Sequence, residues 1–494
     1  MLVLVAVLIS IDGTVLYMAV PALSSDIGPS ATQLLWIGDI YAFVLAGLLI
    51  TMGNLSDRIG RKRLLLIGAG AFCSASMLAA FAWNAEMLIV GRALLGAAGA
   101  TLMPSTLSII RAMFSDAKQR TQAVALWATG ATVGAALGPL VGGALLTNFW
   151  WGSVFLVNVP IMVLVLISGP FLIPESHGDT DHAIDLISAA LSILSIISIA
   201  YAIKHFVGNG LDRSVLATCV VGLLAGWIFV RRQLRLPSPL LDVSLFRMPS
   251  FTGAVATKAL SIFAVLGLLF FFSQYLQLVR EYGPLLAGVA ELPSSIGSAV
   301  AIACIGFLAA RFGAGRSISA GLATAAVGLA GLGVTATHHS YLGIGIFLAV
   351  FGIGVGVSMP LSTDAVVSSV PTERAGAASA IAQTAYELGG ALGVAVLGSL
   401  HLAVYRTSLD LSDDTDPHDA EAAWDSLAVI VATTDNAEVV SQAKAAFTTA
   451  VQTTSFVAAL ILASAAVIAW LVIPSPNLAR QKSSGEATTG DRHA

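Results

Sequence analysis

Gly53-Asn54-Leu55-Ser56-Asp57-Arg58-Ile59-Gly60-Arg61-Lys62-Arg63 is the densest cluster of positive charge in the chain, and it lies between two long apolar runs. A short, basic, glycine-bent segment in that position reads as the turn of a hairpin of two membrane-spanning helices. Lys and Arg accumulate on the cytoplasmic side of such hairpins, so the turn also marks that side. Its surroundings fit. Of 494 residues, 57% are hydrophobic and 11% charged, with a mean hydropathy of +0.88. A soluble protein carries about a quarter charged residues. The apolar content falls into runs of roughly 20 residues, enough for a helix to cross hydrocarbon. The short alternating segments of a transmembrane β-barrel are absent. The net charge of -4 excludes little, because in such a chain the distribution of charge matters more.

Working outward, apolar length and polar or Pro/Gly interruption give fourteen spans: 1–22, 33–54, 63–83, 86–110, 120–146, 152–174, 184–206, 212–231, 251–278, 284–310, 315–337, 341–366, 374–403 and 448–474. Met1 opens directly into the first, without a basic n-region or a small-residue cleavage site, which predicts a retained helix rather than a signal peptide. With both termini cytoplasmic, the inner side carries Arg58, Arg61, Lys62, Arg63, Arg111, Lys118, Arg120, Arg231, Arg232, Arg235, Arg247, Arg311, Arg316 and Arg374, and then Arg480, Lys482 and Arg492 in the tail. The outer side has Lys204, Arg213, Arg280, Arg406 and Lys444, and the asymmetry fixes the expected topology. Cys73, Cys219 and Cys304 sit far apart inside apolar runs and read as small core residues rather than a disulfide or metal set.

Arg311-Phe312-Gly313-Ala314-Gly315-Arg316 is a worn copy of the basic turn, and it makes spans 1–6 and 9–14 two similar six-helix halves. Spans 7 and 8 are left as an inserted pair. The expected division is 1–175 for the first half, 176–247 for the inserted pair and its linker, 248–474 for the second half, and 475–494 for a polar tail. The second half includes an acidic outer loop at 404–447, with an Ala-rich segment around 419–448 expected to be helical.

The pattern G-x-L-x-D-R-x-G-R-[KR] in the basic turn resembles the cytoplasmic signature between the second and third helices of the major facilitator superfamily. Ile11-Asp12-Gly13-Thr14-Val15-Leu16-Tyr17-Met18-Ala19-Val20-Pro21 resembles the first-helix signature of the fourteen-helix drug:proton antiporters, with Tyr17 and Met18 in place of the usual Val-Asn. Trp36-Ile37-Gly38-Asp39-Ile40-Tyr41 narrows the resemblance to the Qac-type pumps, which expel quaternary ammonium compounds and cationic dyes. Relatives in that family carry a short polar lead before the first helix, so the resemblance leaves a start upstream of Met1 open. It implies an all-α polytopic membrane protein with the major facilitator fold: two six-helix halves plus an inserted pair, fourteen transmembrane helices in all.

Several residues are candidates for mechanism. Asp12 in the first span costs several kcal/mol in mid-bilayer unless it is protonated, paired or facing water. That makes it either a proton carrier or a structural hydrogen-bond acceptor. Asp39 lies roughly 9 Å below the outer end of its helix at 1.5 Å per residue. Arg92, at nearly the same depth in span 4, belongs to a segment resembling the family motif R-x-x-x-G-x-x-G, whose arginine is linked to proton transfer. Its partner is Asp39 or Asp12, in a coupling pair or a static one. Span 5 carries Gly130, Gly134, Gly138, Pro139, Gly142 and Gly143, resembling the antiporter motif of drug exporters. Glycines at four-residue spacing let helices approach closely, and the proline permits a kink. In the basic turn, Gly53, Asp57, Arg58, Gly60, Arg61 and, opening span 5, Arg120 form a candidate gate, with Arg120 the expected partner of Asp57.

In the second half, Glu387 lies mid-span with Gln383 one turn earlier, matching an acid of the Qac-type relatives. Glu291 stands in span 10, although Ser298 occupies the place where some relatives have their acid. Asp364 is expected to be wetted at the inner mouth, and Lys258 to snorkel to the cytoplasmic end. Trp36, Gln274, Phe263, Phe270, Phe271, Phe272, Tyr275, Trp127, Tyr17 and Tyr386 supply aromatic and polar walls, either for a cation or for packing. Trp150 and Trp151 read as interface anchors.

The expected activity is proton-coupled export of amphipathic cations (quaternary ammoniums, dyes such as ethidium, fluoroquinolones) across the cytoplasmic membrane. The proton-coupling candidates are Asp12, Asp39, Arg92 and Glu387. The substrate candidates are Asp12, Asp39, Glu291, Glu387, Gln383, Tyr17, Trp36, Tyr386, Phe263 and Gln274. No ATP-binding pattern is present, so the proton gradient is the energy source and no cofactor or metal is expected. Expected partners are protons, cationic small molecules and membrane lipids, with no nucleic acid, and the expected state is a monomer. A lipid or cell-envelope exporter of the same fold is the alternative.

Overall fold

The computed structural model describes residues 1–494 except 115, 177–184, 237–238, 240, 339, 371–373, 413–414 and 474–494. Among the described residues, fourteen helices are long and apolar enough to cross a membrane, matching the fourteen expected spans. The chain starts with α1 (Leu2–Ile27), α2 (Ala31–Ile59), α3 (Arg61–Ala80), α4 (Ala85–Met113), α5 (Ala117–Asn148), α6 (Ser153–Leu156) and α7 (Asn158–Leu172). The two spans expected as an inserted pair are α8 (Leu186–Asn209) and α9 (Arg213–Gln233). Then come α10 (Pro249–Gln274), α11 (Pro284–Phe312), α12 (Ala314–Thr335), α13 (Tyr341–Ser368), α14 (Ala375–Ser408), α15 (Pro417–Asp425), α16 (Leu427–Thr433) and α17 (Ala437–Val472).

Local chemistry sets the boundaries. Gly28 takes the left-handed conformation that ends α1, and Ser30 with Gln33 closes a reciprocal capping box that starts α2. Asp185 and Asp212 cap α8 and α9 by accepting from Ser188 N and Val215 N. The helices run beyond the expected spans where polar turns continue out of the apolar stretch, as at 54–59 of α2 and 437–447 of α17. Hydropathy registers only the apolar part. The segment expected to be helical around 419–448 is instead α15, α16 and the first turns of α17. Ser426 breaks it by ending α15 and capping α16, and Asn436 Oδ1 accepts from Glu438 N at the start of α17.

The chain forms two compact units. The first holds Met1–Leu241, Leu266–Ala290 and Gly390–Val451. Within it α1 lies along α5, α4 lies between α2 and α3, and α8 packs on α9 and reaches α2. The α1–α5 seam explains the glycines of span 5. A Cβ at Gly134 would strike the Val7 carbonyl, one at Gly138 the Thr14 hydroxyl, and one at Gly130 would lie 2.6 Å from Val3 Cγ1. Gly143 serves another neighbour: its Cβ would lie 2.5 Å from the Pro284 carbonyl. At the end away from the basic turn, Gln277 donates to Met18 O at 3.0 Å, and Tyr405 donates to Ala423 O at 2.7 Å. There Lys444 pairs with Glu281 and holds its carboxyl below the usual range.

The second unit holds Asp242–Val265, Glu291–Gly389 and the described residues from Gln452. Its spine is the α12–α13 pair, where glycines again set the spacing: a Cβ at Gly328 would lie 2.6 Å from Phe351 Cα. Three single-residue expectations are corrected by burial. Trp151 is no interface anchor, because it is buried and donates to Asp26 Oδ2 at 2.6 Å, while Trp150 beside it is exposed. Cys304 is exposed on α11 rather than a core residue. Lys258 does not snorkel; its ammonium is buried in α10 and bonds Thr363 Oγ1 at 2.9 Å.

Candidate functional site

In the first unit, two acids are each met by a basic side chain brought from a distant helix. Asp12, fully buried in α1, accepts from Arg92 Nη1 at 3.2 Å on one oxygen and from Asn158 Nδ2 at 2.7 Å on the other. Asn158, at the start of α7, also donates to Ser76 Oγ of α3 at 3.1 Å. Arg92 is held from behind: its Nε donates to Ile37 O at 3.2 Å and its guanidinium lies 4.6 Å from the Tyr41 ring centroid. The glycines after Arg92 make that possible. A Cβ at Gly96 would strike the Tyr41 carbonyl and one at Gly99 would press on the Tyr41 hydroxyl at 3.2 Å, so α4 lies directly on α2. The question of Arg92's partner is therefore answered by Asp12, not Asp39.

Asp39 has its own cation. Lys204 Nζ, from α8 of the inserted pair, lies 2.8 Å from Asp39 Oδ1 and 2.7 Å from Oδ2. The same ammonium sits 3.9 Å from the Trp36 ring centroid, and both charged side chains are about 1% exposed. Lys204 was expected on the outer surface. It lies instead in a box of acid and indole, the kind of environment an organic cation would seek.

The second unit is differently balanced. Glu387 of α14 accepts from Gln383 Nε2 at 2.8 Å and feels the charge of Lys258. The Lys258 ammonium stands 5.8 Å from the Tyr386 ring centroid. Glu291 of α11 is buried, its Oε1 has no hydrogen-bond partner, and no cation approaches it among the described residues. Asp364 is exposed on α13.

The basic turn is built on Gly60, whose φ of 106° is open to glycine and strained for other residues. Asp57 pairs with Arg61 at 2.8 Å, one turn apart, and Arg61 Nη1 reaches Ser108 O of α4 at 3.5 Å. Asp57 thus has Arg61 as its partner among the described side chains; the Arg120 side chain lies outside them. Gly53 faces Pro104 at ordinary contact, and Arg58 is exposed. Glu175, just past α7, accepts from Lys62 N at 3.1 Å, and Lys62 Nζ donates to Pro170 O at 2.6 Å. Gly313, in the worn copy, has a φ of 81°, so the second turn is bent on a glycine in the same region.

Residues 2–394 match the family model described as Major Facilitator Superfamily. The chain belongs to the Major Facilitator Superfamily. It is 44% identical over 474 residues to the multidrug efflux pump LfrA of Mycolicibacterium smegmatis, covering 94% of each chain. It is 37% identical over 411 residues to the methyl viologen resistance protein SmvA of Salmonella typhimurium, covering 83% of each. Among solved structures, it superposes on a bacterial homologue of the lysosomal transporter Spinster with a TM-score of 0.63 at 17% identity, over 95% of both chains. A D-xylose–proton symporter gives 0.63 at 14% identity, over 96% of this chain and 97% of that one. The fold is that of a superfamily transporter, a multi-pass membrane protein rather than an enzyme.

Within this superfamily fold, the expected site residues divide. Asp12 and Arg92 are brought together, as are Asp39 and Trp36 and, in the other unit, Glu387, Gln383 and Tyr386. Tyr17 and Gln274 lie with Phe270, Tyr17 edge-on at 5.5 Å and Gln274 donating to its carbonyl at 3.1 Å. Phe263 is half-buried in the second unit. Asn158, Ser76 and Glu175 went unnoticed in the sequence, and Lys204 was read there only as an outer-side charge. Lys204 and Asn158 carried a signal: each is a strongly polar side chain inside an apolar run, and such a group needs a partner.

Proposed function

We propose that this protein is a proton-coupled antiporter that exports amphipathic cations across the cytoplasmic membrane, with both termini on the cytoplasmic side, working as a monomer. The observation that carries the proposal is the charge in the second unit, where Glu291 and Glu387 are both buried and, among the described residues, the cation Lys258 is near Glu387 and none is near Glu291. A buried carboxylate left unpaired costs so much that it takes up a proton or a cation. Such a group can exchange one for the other, which is the elementary act of an antiporter. One relative's name supports this choice of cargo, since methyl viologen is an organic dication.

In the first unit, Asp12 carries the coupling proton on this proposal. Protonating it removes the counter-charge of Arg92, freeing a guanidinium that is packed on Tyr41 and tied to Ile37 O. The glycine seam of α5, where α1 lies against bare backbone, is the contact through which that change would pass to the neighbouring helix. A lipid or cell-envelope cargo gives no reason for two buried glutamates, one of them with no cation near it among the described residues.

The test is ethidium efflux from energised cells expressing the full chain, with and without an uncoupler, comparing wild type with Glu291→Gln and Glu387→Gln. Neither change strands a directly paired cation, so both variants are expected to reach the membrane at wild-type levels. Efflux is expected to be abolished by the uncoupler and to fall at least about tenfold in each variant. Wild-type efflux from both variants, or efflux indifferent to the uncoupler, overturns the proposal.

A further inference from the structure

The inserted pair ends in a recess of about 400 Å³ between α8 and α9 that the transport reading leaves unused. By the alternation of helices, it lies at the same end as the basic turn. Three arginines rim it: Arg231, Arg232 and Arg235. Ile187, Leu191, Trp227, Ile228 and Leu236 form its wall, and Ile187 and Trp227 are more than half exposed.

We infer that this recess binds the phosphodiester headgroup of an anionic glycerophospholipid, with the lipid's hydrocarbon lying along the Ile187–Trp227 wall. The inference does not depend on the cargo or on proton coupling. It rests on three observations. First, among the described residues three guanidiniums meet one carboxylate, Asp185, which leaves two positive charges over. Second, the charges are pre-placed. Arg231 stacks on Trp227 at 4.5 Å, and Arg232 grips Asp185 through Nε at 3.1 Å and Nη2 at 3.0 Å. Arg235 follows in the turn just past α9 and lines the same recess. Gln233 ties the two helices behind them, donating to Ser188 Oγ at 2.7 Å and accepting from Leu241 N at 3.2 Å. Third, the recess joins the two environments a phospholipid spans. α9 leaves its apolar span at Gln233, so charge and apolar wall meet at the level where headgroups lie. A soluble anion would use the arginines and have no use for the wall.

The measurement is lipid retention by the purified full-length protein, read by native mass spectrometry together with the melting temperature in detergent. The probes are phosphatidylglycerol, phosphatidylcholine, glycerol 3-phosphate and inorganic phosphate. Wild type is expected to retain phosphatidylglycerol and melt higher with it, and to ignore the other three. A lipid-surface contact of one basic side chain is worth close to a fivefold change in affinity, so Arg231→Gln with Arg235→Gln is expected to weaken retention about thirtyfold. Asp185→Asn keeps a capping side chain but releases Arg232, and is expected to strengthen retention about fivefold. That gain cannot come from misfolding. Equal retention of phosphatidylcholine, or unchanged retention in both variants, overturns the inference. A melting shift reproduced in full by inorganic phosphate also overturns it, in favour of a free-anion pocket.

Discussion

Lys204→Met is the sharpest test of how the first unit is held. Methionine keeps the length of the side chain and most of its packing, but removes the ammonium that contacts both oxygens of Asp39 and the face of Trp36. Asp39 is then buried with no cation in contact. Breaking a buried pair from one side costs roughly 3–5 kcal/mol, which lowers the folded-to-unfolded ratio by about two to four powers of ten. The second single variant, Asp39→Asn, strands the lysine and is expected to cost a similar amount. The double variant Asp39→Asn/Lys204→Met strands neither, and replacing both members of a buried pair is often close to neutral. The two single costs are therefore expected not to add: with each at roughly 3–5 kcal/mol and the double variant close to neutral, the coupling in a double-mutant cycle is about 6–10 kcal/mol. The assay is reversible unfolding in a mixed-detergent titration, followed by tryptophan fluorescence. Additive losses, or a Lys204→Met protein as stable as wild type, would refute the claim that the inserted pair is anchored to α2 through this ion pair.

Four further outcomes are expected. Asp12→Asn leaves Arg92 buried without its carboxylate, so dye efflux should be lost; full export by that variant removes Asp12 from the mechanism. Gly60→Ala forces a Cβ onto a φ of 106° and to 2.8 Å from Glu175 Oε1, and should lower the melting temperature by the equivalent of about 1–3 kcal/mol. Gly134→Val should separate α1 from α5 and abolish efflux, whereas Gly70→Ala, which meets nothing within 4 Å, should be silent in the same assay. For Asp185, burial alone would raise the carboxyl, but hydrogen bonds from Arg232 and Ser188 hold it at about 2. The stability it contributes is complete above its ordinary value of 3.8 and is lost as the pH falls toward 2, so a melting-temperature profile over that window should flatten in Asp185→Asn.

The fold was legible because hydrocarbon imposes a length on every span, and the basic turn announces itself by charge and glycine together. The close packing of the span-5 glycines was legible for the same kind of reason: spacing on one helix face is a property of a single segment. Pairing is not. Asp12 and Arg92 lie 80 positions apart, and Asp39 and Lys204 165 apart. Depth along a helix cannot say which way each helix is turned, so Asp39 was as good a partner for Arg92 as Asp12. Lys204 was misjudged because it stands within three residues of the end of its expected span, where a lysine ordinarily reaches water. Its burial follows from α2, which brings it a carboxylate and an indole. Lys258 was misjudged in the same way, since Thr363 and Glu387 come from helices more than 100 residues later.

The two units use acids in opposite ways. In the first, Asp12 and Asp39 are matched by Arg92 and Lys204, so their sum of charge is zero with every group ionised. A proton arriving there creates charge, because it leaves a guanidinium or an ammonium without its partner. In the second, among the described residues Glu387 has Lys258 near it and Glu291 has no cation, so the sum of the three is negative by one with every group ionised. A proton arriving there removes charge, and a monovalent organic cation removes the same amount. On the proposed function the second unit therefore accepts either guest in place of the other, while the first is unsettled by a proton. This arithmetic predicts preference as well as direction. Lys258→Met raises the deficit in the second unit to two, and should shift efflux toward dications such as methyl viologen relative to ethidium. An unchanged ratio of the two would mean that Lys258 does not take part in setting the charge that a guest must balance.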